Sequence, residues 1–299
     1  MFLRNLSRFI LRAFPVACML PAFGQAPVVF QRSLDLGIKD PAVLDIALPK
    51  GDVSIMYSHE GQITIYATPL DTAAKTGAEE FLKNNLRIDQ RENHVTIRLA
   101  SKAPPPAFLY RIDVPFRTEV TSAVEVGNQK VMGITGPANI SSGAGDIDAA
   151  QVRFAPLRAR TGKGKISCSR VMQVDAETQS GNITLMEDGP SKAVVKQGPG
   201  RIEIGGARGS VEASTDGGSL HIKAVANGDW QLSSVAGNIR IELPPVSNVD
   251  LDASSASGQI FIERDGMENP SGDAHQFRQK VEGGKQIQAR SKSGSITIQ

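Results

Sequence analysis

Cysteine, histidine and aromatic side chains are all scarce in this 299-residue chain, which holds two Cys, four His, one Trp and three Tyr. Each scarcity excludes something. Cys18 lies in an N-terminal leader, so Cys168 alone remains after it, and one cysteine cannot form an internal disulfide. The histidines, His59, His94, His221 and His275, share no spacing of metal ligands, so neither a metal nor a cofactor site is expected. No arginine-rich run with interleaved aromatics occurs, which removes support for nucleic-acid binding. Long apolar runs are also lacking. The longest, Ala13 to Phe23, falls well short of the roughly twenty residues that a membrane span needs, so no transmembrane segment is expected.

That short run belongs to the leader. Arg4, Arg8 and Arg12 precede it and Gly24-Gln25-Ala26 follows it, the pattern of a secretory signal peptide over 1–26 with cleavage after Ala26. A lipoprotein reading through Cys18 lacks the usual aliphatic residue in Pro15-Val16-Ala17. Export to the periplasm, the cell surface or the medium is therefore expected. The leader also carries the apparent basicity. Without its three Arg, 30 basic face 31 acidic side chains, for a net charge of −1.

What is abundant is glycine, and it is periodic. Gly145, Gly164, Gly181, Gly200, Gly218, Gly237, Gly258 and Gly294 are each followed two residues later by Ile or Leu. Their spacings are 19, 17, 19, 18, 19, 21 and 36, the last being a doubled period. A fixed period near twenty marks a solenoid. Apolar or small residues recur seven and five before each glycine, as in Leu157/Ala159 and Trp230/Leu232, and again four after it, as in Cys168 and Ile241. The residues between are mostly polar. Each unit thus reads as a strand, a bend at the glycine and a second strand, with alternate side chains inward. Cys168 takes one of the inward positions, as a buried core thiol. Ser or Thr recurs three before the glycine (Gln197 once), placed to bond the corner backbone. The outward positions predict Arg158 and Arg160 over Asp175 and Glu177, with Lys196 following Glu177, as a register-fixing charge ladder.

The expected fold is all-β: a β-solenoid of about eight to nine coils of 17–21 residues over 120–299, Val120 to Val131 forming a degenerate first coil. Residues 27–119 read as a β-rich capping module. Strands are expected at Val43–Leu48, Val53–Met56, Ile63–Tyr66, Val95–Leu99 and Leu109–Val114. One helix is expected over 71–85, with Asp71 as N-cap and Ala74, Ala78, Phe81 and Leu82 on its apolar side. The doubled interval makes 265–286 a surface loop bulging from one coil.

The phrases Ser180-Gly181-Asn182-Ile183-Thr184-Leu185, Ala236-Gly237-Asn238-Ile239-Arg240-Ile241 and Ser293-Gly294-Ser295-Ile296-Thr297-Ile298 resemble a bacterial family of exported β-solenoid domains. That family is named for candidate adhesins and its function is largely unassigned. The resemblance covers roughly 40–299, including the step Ile112-Asp113-Val114-Pro115 into the solenoid. It implies an interaction role and carries no catalytic motif to transfer.

A non-enzymatic envelope-associated binding or scaffold module is therefore expected, with a protein or polysaccharide of the envelope or surface as partner. Two alternatives compete with it. Asp146 and Asp148, two apart on one outward face, are the sole carboxylate pair suited to a polysaccharide-active β-helix enzyme. Ile296 and Ile298, at the end of the chain without an obvious polar cap, suggest an envelope protein that self-associates end to end.

Overall fold

The computed structural model describes residues 28–37, 41–71, 76–100, 105–186, 192–207, 209–245, 247–264, 267, 270 and 274–299. Residues 1–26, the expected signal peptide, and Cys18 within them lie outside these residues. So does the expected helical position Ala74.

Alternation in sequence becomes alternation in space. Among the described residues the chain forms two sheets of 13 strands each, lying face to face. Successive repeats contribute one strand to each sheet: Ala138–Ala144 with Ile147–Ala150, then Pro156–Lys163 with Ile166–Ser169, then Gln173–Ser180 with Ile183–Met186. Lys192–Gln197 with Ile202–Gly205, Ser210–Thr215 with Leu220–Lys223, and Trp230–Ser234 with Ile239–Glu242 continue the stack. Neighbours pair in parallel and in the register expected from the glycines, so that Arg158 faces Asp175, Arg160 faces Glu177, and Glu177 faces Lys196. The inward positions stack into buried ladders, Leu157, Val174, Ala193, Val211 and Trp230 on one sheet and Ile166, Ile183, Ile202, Leu220 and Ile239 on the other. Cys168 is buried among them, only 2% exposed.

The glycines form a continuous spine along one edge. Gly145 has φ +151°, and a Cβ there would stand 2.0 Å from the carbonyl oxygen of Gly127 in the adjoining coil. Gly237 does not adopt positive φ, yet a Cβ would lie 1.7 Å from the Gly218 carbonyl oxygen. Close backbone approach is therefore what the spine has in common. The recurring hydroxyls fasten it: Ser142 Oγ donates to Gly127 O at 2.9 Å, Thr161 Oγ1 to Gly145 O at 2.9 Å and Thr178 Oγ1 to Gly164 O at 3.2 Å.

The first part of the chain supplies strands to the same two sheets. All five strands expected there are present, within Ala42–Lys50, Asp52–Tyr57, Gln62–Pro69, His94–Leu99 and Phe108–Val114, and Phe30–Asp35 and Leu86–Arg91 are added to them. Ala42–Lys50 and Asp52–Tyr57 run parallel to Thr118–Val126 and Gln129–Met132, while His94–Leu99 and Phe108–Val114 lie outside them. Antiparallel strands, Leu86–Arg91 on one sheet and Gln62–Pro69 with Phe30–Asp35 on the other, finish this end. The helix is shorter than expected, Ala78–Asn85, and Gly77 rather than Asp71 is its N-cap. Gly77 takes a left-handed conformation, φ 82°, which a helical residue cannot continue through. Ala78 and Leu82 are buried, and the Phe81 ring stacks on Phe108 at 6.1 Å.

The C-terminal end departs further from expectation. Lys285–Ser291 and Ile296–Ile298, last in sequence, insert between Trp230–Ser234/Ile239–Glu242 and Val249–Ser255/Ile260–Ile262. Ile296 and Ile298 are accordingly 0% exposed and paired on both sides. The basis for end-to-end association through these two residues is removed. The segment 265–286 is also more than a loop: Gln276–Gln279 is a strand that pairs antiparallel with Val249–Ser255 and covers its edge. Its length is what lets the chain pass over one coil and return beneath it.

Candidate binding site

The acidic pair singled out from the sequence does not converge. Asp146 precedes the strand Ile147–Ala150, and its Oδ1 accepts the backbone N–H of Lys165 at 2.8 Å. Asp148 faces Lys130 Nζ instead, 3.8 Å away. Asp146 belongs to a second ladder one residue beyond the glycine spine. In it Asp52 caps Asn128 N at 2.8 Å, Asn128 caps Asp146 N at 2.9 Å, and Asn182 caps Arg201 N at 2.9 Å. Its carboxylate is thereby occupied in holding two coils together, which disfavours the general acid or base role.

The charge ladder expected on the other sheet forms: Arg160 contacts both Asp175 and Glu177 at 3.1 Å, and Arg158 reaches Asp175 at 3.7 Å. These groups are largely exposed, so each contact contributes no more than about 1 kcal/mol. Nearer the end of the same sheet, Asp252 binds Arg290 at 2.8 Å and Arg278 at 3.0 Å. The Arg290 bond leads in holding its carboxyl below the ordinary range, against the opposing effect of burial.

A denser network lies on the outward face of Leu220–Lys223, Ile239–Glu242 and Ile296–Ile298. Because Leu220, Ile222, Ile239 and Ile241 fill the core, alternation drives His221, Lys223, Arg240 and Glu242 outward. Glu242 is the hub. Its Oε1 accepts from His221 Nε2 and Arg240 Nε, each at 2.9 Å, and Lys223 Nζ lies 3.3 Å from Oε2. Burial alone would push the Glu242 carboxyl up, but the bonds from His221, Arg240 and Lys223 outweigh it and hold the pKa at about 2. With Nε2 donating to Glu242, His221 Nδ1 is left to accept from Arg201, at 3.5 Å. Arg240 also donates to Gln299 Oε1 at 2.6 Å, and Gln299 donates to Glu263.

Beside this network the chain turns the corner to the other sheet. Gly206, Ala207, Ala224, Val225, Leu243 and Pro244 make an apolar wall, and the whole encloses a groove of about 660 Å³. Arg264 braces the wall from behind, donating to Ser247 O at 2.6 Å and to Pro244 O at 3.3 Å. The arrangement offers fixed donors and acceptors next to an apolar surface, which suits recognition of a group with both characters. Of its members only His221 was singled out in the sequence. The others were legible as outward positions three and five beyond successive glycines. What was missing is the diagonal contact, since Glu242 reaches both the residue directly opposite it and His221, two positions back on that strand.

The other histidines are dispersed. His94 bonds Asp45 at 2.6 Å, His59 packs on the Tyr57 ring at 4.7 Å, and His275 donates to Gly258 O at 2.8 Å. Among the described residues no three His, Cys, Asp or Glu side chains cluster so as to hold a metal ion. Nor is any described helix long and apolar enough to cross a membrane.

The two stacked sheets define a β-solenoid-like protein, with a groove beside the outward face of one sheet. The chain belongs to the Toastrack DUF4097 family, whose profile matches residues 42–299. No curated protein matches it. Among solved structures it is similar to an adhesin candidate from Bacteroides fragilis, at 14% identity over 90% of this chain and 95% of the other, with a TM-score of 0.45. A candidate lipid-binding protein from Parabacteroides distasonis aligns at 12% identity over 90% and 96% of the two chains, with a TM-score of 0.48.

Proposed function

We propose that this protein is an exported, non-enzymatic binding module of the cell envelope, and that the groove beside Glu242 receives part of its partner. The reading rests on one observation: a network of mutually fixed charged groups adjoins an apolar wall on a rigid, doubly paired sheet. Groups already held in place lose little freedom when a ligand arrives, which favours binding by a preformed surface. The signal-peptide pattern supports export, and a surface polysaccharide or protein is the partner class that an exported module meets. Asp146 and Asp148, each engaged with a neighbouring coil, give no comparable support to catalysis.

The test offers immobilised protein a panel of purified envelope polysaccharides and surface proteins. Lys223→Glu and Val225→Asp, both at exposed positions of the groove, are compared with the parent. One component of the panel should bind the parent, and each variant should weaken that binding by roughly tenfold, the effect of about 1.4 kcal/mol. Equal binding by parent and variants would remove the groove from the reading. Cleavage of a polysaccharide that is lost in Asp146→Asn with Asp148→Asn, the fold being intact, would replace it with an enzyme.

A further inference from the structure

The corners opposite the glycine spine, where the chain passes from Phe108–Val114, Ile147–Ala150 and Ile166–Ser169 to the other sheet, share an unusual composition. Each presents an exposed apolar side chain next to an exposed arginine: Phe116 with Arg117, Phe154 with Arg153, and Met172 with Arg170. Phe116 is 48% exposed, Phe154 78% and Met172 40%. Backbone bonds make the corners one continuous edge. Thr135 N donates to Phe116 O at 2.9 Å, Arg153 N to Ile134 O at 3.1 Å, and Gln151 N to Ser169 O at 2.9 Å. Arg170 N then donates to Met186 O at 3.2 Å, and Met186 is itself 44% exposed.

The backbone at these corners is strained. Gln151, Phe154 and Arg170 all have positive φ, 57°, 65° and 53°. Such conformations are unfavourable for side chains larger than Asn or Gly. At Phe154 the strained backbone carries a phenyl ring that is mostly in solvent, where it packs on little. Strain kept at an exposed aromatic is a mark of a working surface rather than of a core.

We propose that this edge docks on an anionic lipid bilayer, with Phe116, Phe154 and Met172 entering the headgroup region and Arg117, Arg153 and Arg170 binding lipid phosphates. A bilayer surface accommodates a row of exposed apolar groups along one edge. Cations beside each of them match an anionic headgroup layer, to which each adds attraction that salt screens. The patch shares no residue with the groove at Glu242, so this proposal stands or falls apart from the reading above.

Both sheets lie within residues 28–299, so the chain without its leader is the protein to test. It is sedimented with vesicles of phosphatidylglycerol and phosphatidylcholine in equal parts, and with vesicles of phosphatidylcholine alone. The parent should associate with the anionic vesicles, less so as salt is added, and much less with the neutral ones. Phe154→Gly should weaken association by roughly tenfold or more, the loss expected for one inserted phenyl group. Glycine suits the left-handed backbone, so this variant should melt no lower than the parent, which separates lost binding from lost fold. Arg117→Gln with Arg153→Gln and Arg170→Gln should abolish the preference for anionic vesicles. A parent that ignores both kinds of vesicle, or variants that bind as it does, would overturn the proposal. If Phe154→Gly instead releases a purified envelope protein that the parent retains without lipid, the edge is a protein interface.

Discussion

At Gly237 the carbonyl of Gly218, in the preceding coil, occupies the space that a side chain would need, 1.7 Å from an ideal Cβ. Gly237→Val should therefore cost about 3 kcal/mol or more, because the obstruction is backbone that cannot rotate away. Gly61→Ala is the matched control, since nothing lies within 4 Å of its Cβ, and should stay within about 0.5 kcal/mol of the parent. Denaturant unfolding of the two variants checks the contrast, and equal losses would show that the spine is not what excludes side chains. Asn238, one residue on, faces solvent and on sequence grounds should tolerate Ala freely. The structure corrects that expectation, for Asn238 Oδ1 accepts Ser295 N at 2.9 Å. Asn238→Ala should lose about 1 kcal/mol, while Asn238→Asp, which keeps the acceptor as Asp52 and Asp146 do elsewhere in the ladder, should lose less. The same melts decide it.

At the scale of strands, Glu242 links Leu220–Lys223 to Ile239–Glu242 through its bonds to His221 and Lys223. Its pKa is depressed from 4.5 to about 2 in the folded chain. A depressed carboxyl stabilises the fold above its unfolded value, and that contribution fades as pH falls from near 4.5 through about 2. Unfolding midpoints of the parent should thus decline across that interval more steeply than those of Glu242→Gln, which has no proton to gain there. Parallel declines would mean that the network does not couple to folding. The terminal coil is the other test at this scale. Ile298→Lys would place an ammonium group between two coils rather than at an open end, and should cost about 3 kcal/mol or more in the same measurement. A stable variant would show that the last strand is not enclosed.

At the scale of the whole molecule, the described residues form one pair of sheets, with antiparallel strands at one end and Gln276–Gln279 on one sheet at the other. At both ends the order in space departs from the order in sequence. Ala42–Lys50 sits between His94–Leu99 and Thr118–Val126, just as Lys285–Ser291 sits between Trp230–Ser234 and Val249–Ser255. At the C-terminal end this shields the last strands on both edges, whereas Phe30–Asp35, the first described strand, stays at the edge of its sheet with one partner. A terminal coil left outermost would offer its backbone groups to other chains. Enclosing it makes fraying from the terminus require the loss of two sets of ladder bonds instead of one.

Local alternation, the glycine period and the Ser or Thr before each glycine determined by themselves that the chain would be a solenoid. They also set its register, down to Arg160 facing Glu177. These features repeat within one unit and its neighbour, so short-range chemistry suffices to specify them. Tertiary structure alone decided that the last repeat lies inside the penultimate one, because the period is equally satisfied by either stacking order. It alone turned Asp146 from a candidate acid into a cap for Lys165, and gathered His221, Arg240 and Lys223 on Glu242. Those roles depend on which side chains meet across coils and along diagonals, and a period in sequence carries the spacing of residues without the direction in which each side chain reaches.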